Sequence, residues 1–314
     1  MKVKEIYEVA IKKGIEADPR GKEAIKNELL KQKKIYEDLS KEEKEDFDKE
    51  KLENPYSDTR ILLDNGRAVK KILVGIDMET GEMLLADKLG VDLVISHHPL
   101  GIGLAKLDDV MRLQADVLAH YGVPINIAES LLEKRMSEIS RKVSPANNYQ
   151  SVDAARLLNL SVMCTHTIAD NLVYDFVKKE IDKNNPETIG ELITLLKKIP
   201  EYKAAIKRGA GPTIFVGNKD HRCGKIAVTE ITGGTSGSKD IYESMSNSGI
   251  GTIIAMHMDE EHKEEAERYH INVVVAGHMA SDSLGMNLFL DELEKRNFKI
   301  IPCSGLIRVK RINK

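Results

Sequence analysis

Val91-Asp-Leu-Val-Ile-Ser-His-His-Pro-Leu100 decides how the rest of this chain is read. Leu93 to Ile95 is a short apolar run with the length and β-branched content of a buried strand. Pro99 cannot donate to a ladder and restricts the residue before it, so the strand ends at the histidines. Within a strand, His97 and His98 would point to opposite faces. At its C-terminal end both imidazoles can turn into one crevice, where open α/β sheets bind ligands. Paired imidazoles there suit a divalent transition metal. The dipeptide alone is equally compatible with a solvated turn.

Working outward, strands and helices alternate on both sides of this stretch. Lys71 to Ile76 reads as a strand ending at Asp77, and Gly81 to Leu89 as a helix closed by Gly90. Asp108 to Tyr121 is a predicted helix, Ile125 to Ile127 a short strand, and Ala128 to Val143 and Val152 to Leu158 helices. Leu160 to Cys164 is a strand running into His166-Thr-Ile-Ala-Asp170, with a helix from Asn171. Further on, Thr213 to Val216, Lys225 to Thr229, Thr252 to Met256 and Val273 to Ala276 read as strands. Helices are expected over Lys239 to Ser246, Glu260 to Tyr269, and from Ser281 or Asp282 to Arg296. Lys299 to Pro302 and Leu306 to Lys310 are expected to close that second sheet. The fold class is α/β: two α/β lobes with a site between them, each built on a mostly parallel sheet.

Residues 1–54 read as a charged helical extension, with Ile6, Val9, Ala10 and Lys13 opening a first amphipathic helix that Pro19 and Gly21 break. Its Lys and Glu residues at helical spacing fit a solvated hairpin or, alternatively, a contact surface for another subunit. Residues 55–185 form the first lobe, 186–211 a helical connector, and 212–314 the second lobe. With 314 residues and a formal net charge of -3, the composition does not point to nucleic acid. Met1-Lys-Val-Lys-Glu carries charges where a signal peptide needs an apolar core, and no apolar run has membrane-spanning length, so a cytoplasmic location is expected. Cys164, Cys223 and Cys303 form no CxxC pair, which disfavours disulfide frameworks and Cys-rich zinc sites.

Four strand ends carry ligand-type groups: Asp77, His97-His98, His166 with Asp170, and His278 with Asp282. In a doubly wound sheet these ends share an edge, and His278 and Asp282, four apart, would share one face of a helical turn. Imidazole and carboxylate without thiolate favour zinc, iron or manganese. So many ligands suit two metals bridged by a carboxylate, an arrangement that activates water. Asp77 can equally cap the next helix, and His166 can orient a ligand instead of binding metal. His257 also ends a strand and is left unassigned. His120, His221, His262 and His270 read as surface residues. Gly233-Gly-Thr-Ser-Gly-Ser238 is a candidate phosphate cradle or simply a turn; it matches neither the Walker nor the dinucleotide pattern.

Asp92-Leu-Val-Ile-Ser-His-His-Pro-Leu100, His166-Thr-Ile-Ala-Asp170 and Ala276-Gly-His278 with Asp282 four residues on, in that order, resemble the Nif-three-like family over residues 55–314. These are dinuclear-metal proteins that often carry the label GTP cyclohydrolase I type 2. The resemblance implies a two-metal site held by His97, His98, Asp170, His278 and Asp282, and a toroidal homohexamer. This chain has Asp282 where the family usually has Glu, and Asn54-Pro-Tyr-Ser-Asp-Thr-Arg60 where an aromatic motif is expected. Its spacing from His98 to Asp170 is long. The expected function is a hydrolase dependent on two divalent metal ions and acting on a nucleotide or phosphorylated small molecule, by GTP cyclohydrolase-like or phosphoester chemistry, with His166 as proton shuttle. The competing expectation is a non-catalytic adaptor or a metal storage or delivery protein.

Overall fold

The structure is a computed structural model and describes residues 1–312. Among the described residues nine strands form two sheets: β1 (Thr59–Leu63), β2 (Lys71–Gly75), β3 (Leu93–Ser96), β4 (Ser161–Thr165), β5 (Thr213–Val216), β6 (Lys225–Glu230), β7 (Ile250–Ala255), β8 (Asn272–Val275) and β9 (Lys299–Pro302). The five-stranded sheet has the order β1-β4-β3-β2-β9, and the four-stranded sheet β5-β8-β7-β6. All pairings are parallel except at one edge of each sheet, where β1 runs antiparallel to β4 and β5 to β8.

Period-two alternation explains how the first sheet is buried on both faces. Ile72, Val74, Leu93 and Ile95 face a core shared with the helices Val3–Ala17, Thr167–Asn184 and His278–Glu294. Leu73, Val94 and Val162 face the other way, onto Met83, Ala86 and Ala155 of the helices Thr80–Leu89 and Gln150–Leu157. The middle of the long passage between β3 and β4 leaves the first sheet. Its helices Arg112–His120 and Ile125–Val143 put Leu113, Val117, Leu132 and Met136 into one core with Val228 and Ile253 of the second sheet. Tyr121 Oη accepts the backbone N–H of Val228 at 3.1 Å, which covers an otherwise open edge strand.

Several expectations are corrected. Ile125 to Ile127 is not a strand: Pro124 sets the N-terminus of a helix there, and Ile125 and Ile127 are exposed. The helix expected from Ser281 or Asp282 begins at His278, straight after Gly277, whose φ of 109° turns the chain. Lys299–Pro302 does not close the second sheet but pairs with β2 in the first, and Leu306 to Lys310 is not a strand. β1 escaped the sequence reading, because its pattern of burial fades along its length. Helix Val3–Ala17 is built into the first core through Val3, Ile6 and Ala10, whereas Lys22–Asp38 buries Ile25 alone. His262 is buried against Tyr242 Oη, at 3.2 Å, while His120, His221 and His270 are exposed. Among the described residues no helix is long and apolar enough to cross a membrane.

Candidate metal centre

The site forms where the C-terminal ends of β3 and β4 meet the first turn of helix His278–Glu294. Backbone ladders continue past β3: His97 donates its N–H to Gly75 O at 2.9 Å and His98 to Ile76 O at 3.0 Å. The two rings then turn to the same side, with centroids 5.2 Å apart. Helix Thr167–Asn184 starts directly after β4, so His166 and Asp170 stand one turn apart. It crosses helix His278–Glu294 at very close range: a Cβ on Gly285 would lie 2.2 Å from Ala169 O. That glycine lets two backbones approach and brings Asp170 to Asp282.

Asp282 lies between two sets of donors. Its Oδ1 is 3.5 Å from His97 Nε2, and its Oδ2 is 3.5 Å from His98 Nε2 and 3.6 Å from His278 Nε2. Asp170 Oδ1 is 3.6 Å from His97 Nε2, and Asp170 Oδ2 is 3.8 Å from His166 Nε2. These separations are long for hydrogen bonds. His97 Nε2, Asp170 Oδ1 and both oxygens of Asp282 are buried without a hydrogen-bond partner. Ligand atoms fall within 4.8 Å of one another in three groups: His97 with Asp170 and Asp282; His98 with His278 and Asp282; and His97 with His98 and His166. Buried polar atoms without partners are costly, and ligand atoms left open around a common point fit a metal ion. The five residues expected as ligands therefore all converge, and these clusters could hold a metal ion.

The far nitrogens are fixed by partners, as in metal sites whose imidazoles are oriented from behind. His97 Nδ1 sits 3.2 Å from Thr165 O, His98 Nδ1 2.6 Å from Asp77 Oδ1, and His166 Nδ1 2.8 Å from Asp58 Oδ2. Asp77 thus orients His98 and is not in the ligand groups. Asp58, fully buried and also accepting from Thr167 Oγ1 at 2.6 Å, was missed by the sequence reading. The signal lay in Asn54-Pro-Tyr-Ser-Asp-Thr-Arg60, where the family's aromatic motif is absent.

Burial works to raise the Asp282 pKa, yet the imidazoles of His97, His98 and His278 overcome it and hold the carboxyl far below the usual range. Burial pushes Asp170 up to about 6, against the pull of His166 and His97. For His98 burial opposes the charge, but Asp282 and Asp77 push it up to about 10. His278 falls to about 4, chiefly through burial.

A cleft opens beside this cluster, lined by Asp170, Asp282 and His278 on one side and by Glu230, Thr232, Thr235, Ser236 and His257 on the other. The glycine-rich loop is therefore a wall of the centre. Gln114 Nε2 donates to Gly233 O at 2.8 Å and to Thr235 O at 2.5 Å, and Arg135 Nε to Ser236 O at 3.2 Å. His257, exposed at the mouth, has its ring 5.0 Å from that of His278.

An α/β protein of two sheets with an imidazole–carboxylate cluster between them is the class that fold and site define. Residues 49–304 match the family Duf34/NIF3 (NGG1p interacting factor 3), and the chain belongs to that family. It is similar to a NIF3 superfamily protein from Sphaerobacter thermophilus, with a TM-score of 0.73 and 26% identity over 81% of this chain and 94% of that one. HcgD from Methanocaldococcus jannaschii, in its reduced form, gives a TM-score of 0.48 and 16% identity over 75% of this chain and 84% of that one. No curated protein matches the chain.

Proposed function

We propose that this chain holds two divalent metal ions and is a metal-dependent hydrolase of a nucleotide or another phosphorylated small molecule. One ion would be taken by His97, Asp170 and Oδ1 of Asp282, the other by His98, His278 and Oδ2 of Asp282. The observation that carries this reading is the Asp282 carboxyl, buried, unpartnered at both oxygens and faced on each by a different imidazole set. Imidazole and carboxylate donors without thiolate suit zinc, iron or manganese. Such ions lower the pKa of water and neutralise charge on a phosphoryl or purine substrate.

The chain's own groups prepare the site. Asp77 and the Thr165 carbonyl hold the His98 and His97 rings in position, and Asp58 fixes which His166 nitrogen faces Asp170. His166 then holds a proton next to Asp170 or moves it from there. The hydroxyls of Thr235 and Ser236 offer substrate contacts on the opposite wall. Self-association belongs to the same reading. Leu84, Leu85 and Leu157 are exposed apolar side chains on the adjacent helices Thr80–Leu89 and Gln150–Leu157, which would suit contact with a second copy.

Elemental analysis of protein purified without added metal, paired with a turnover screen of nucleotides and phosphomonoesters, tests the proposal. About two ions per chain and a substrate whose hydrolysis is lost in Asp170→Ala are expected. Two ions with no turnover of any compound would favour metal delivery or an adaptor role. Fewer than one ion after incubation with zinc, manganese or iron would remove the metal reading itself.

A further inference from the structure

The N-terminal helix lies outside the residues that match the family, yet the residue that ends it is wired to the wall of the cleft. Gly14 of that helix packs so closely on Ile168 that a Cβ there would come within 2.7 Å of Ile168 Cγ2. Asp18 follows the helix, and its side chain is fully buried. Arg20 grips it with Nε on Oδ1 at 3.0 Å and Nη2 on Oδ2 at 2.9 Å, and Tyr56 Oη donates to Oδ2 at 2.8 Å. Asn171, without exposed surface, aims Nδ2 at the same Oδ2 from 3.3 Å. Its Oδ1 accepts from Thr232 Oγ1 at 2.6 Å. Thr232 is the first residue of the glycine-rich wall.

Donor and acceptor chemistry gives this chain of contacts a direction. A carboxylate only accepts, so Asn171 must present its NH2 group to Asp18. Its carbonyl oxygen is then committed to the other side, where Thr232 must donate. Remove the carboxylate, and only the longer contacts of Nδ2 with Gly14 O at 3.4 Å and Tyr56 Oη at 3.3 Å still hold the amide in that orientation, so its grip on the Thr232 hydroxyl weakens. Gln114 holds the loop one and three residues further along, through Gly233 O and Thr235 O. Thr232 is thus the one end of the loop whose hold comes from the N-terminal segment.

We propose that the buried Asp18–Asn171–Thr232 relay makes the end of the N-terminal helix a positioning element for the glycine-rich wall of the metal cleft. The relay acts whether or not the site turns over a substrate.

Amide hydrogen exchange of residues 233–237 in the full chain tests it, with the amides of β7 as an internal control. Asp18→Ala and Thr232→Val should each speed loop exchange about tenfold, as loss of one buried hydrogen bond predicts. The double variant should exchange no faster than the faster single one, because both cut the same path. Thr232→Ser, which keeps the hydroxyl, should exchange like the unaltered chain, and β7 should not change in any folded variant. Should Asp18→Ala not fold, Asp18→Asn preserves the shape but places an NH2 among three donors, and the same acceleration is expected. Unaltered loop exchange in the Asp18 variants, or effects that multiply in the double variant, would overturn the relay.

Discussion

The two sides of the metal cleft are built on opposite principles. On the first-sheet side, His97, His98 and His166 each have the nitrogen away from the cluster engaged, by Thr165 O, Asp77 and Asp58. On helix His278–Glu294, which packs over that sheet, Asp282 has no hydrogen bond at either oxygen, and across the cleft from it the wall is a loop of small and hydroxylated residues. One side is a fixed socket; the other is a carboxylate whose position depends on how one helix crosses another. Orientation from behind organises the imidazoles without a ligand, whereas on the proposed function Asp282 would gain its partners only from a bound metal.

The contrast breaks most visibly at Asp282 itself. If the proposed pair of ions is bound, Asp282→Ala should lower bound metal from about two ions per chain to fewer than one, because both candidate ligand sets share this residue, while His97→Ala should leave about one. Elemental analysis separates the two outcomes; equal losses would show that the sites do not share a bridge. Gly285→Ala comes next. Its added Cβ would meet Ala169 O at 2.2 Å, so the helices must part. Overpacking of this kind costs about 1–3 kcal/mol of stability, read from denaturant midpoints. It should weaken metal binding more than Ile253→Ala, although that cavity in the second-sheet core costs about 2–5 kcal/mol. If metal affinity instead follows stability alone, the crossing does not set the position of Asp282.

Asp77→Asn sharpens the socket side. Loss of an orienting carboxylate lowers metal affinity about 10–100-fold, and the lower end is expected here because the Asp77 side chain is half exposed. A competition titration with a chromophoric chelator measures it. The smallest effect is protonic. In the metal-free chain His98 is pushed from 6.5 up to about 10, so its proton adds stability that is complete below pH 6.5 and lost as pH rises through about 10. A metal must displace that proton, so affinity should rise with pH across this window, with His98 contributing one released proton. Calorimetry in buffers of different ionisation enthalpy counts it, and an affinity independent of pH would contradict the coupling.

Much of this was legible in one dimension. The apolar run Leu93 to Ile95 followed by His97-His98-Pro99 marked a buried strand and its end, and the i,i+4 spacing marked His278 with Asp282 as a same-face pair. Other features were hidden for identifiable reasons. Asp58 lies 108 residues from the imidazole that it holds, so no local pattern reveals it. Lys299–Pro302 reads as a strand in any context, and only its pairing with β2 assigns it to the first sheet. Ile125 and Ile127 alternate like a strand, but no strand stands beside them, and the proline before them starts a helix instead.

The sequence by itself determined the alternating α/β elements, the strand ends and the chemical types of the candidate ligands, since periodicity, proline and donor chemistry act over a few residues. Tertiary structure alone decided that Asp282 faces two imidazole sets, that Gln114 and Asn171 hold the loop, and that the first helix belongs to the core. Those outcomes depend on how closely two helices approach at Gly285 and Gly14, and such distances arise from packing between segments far apart in the chain.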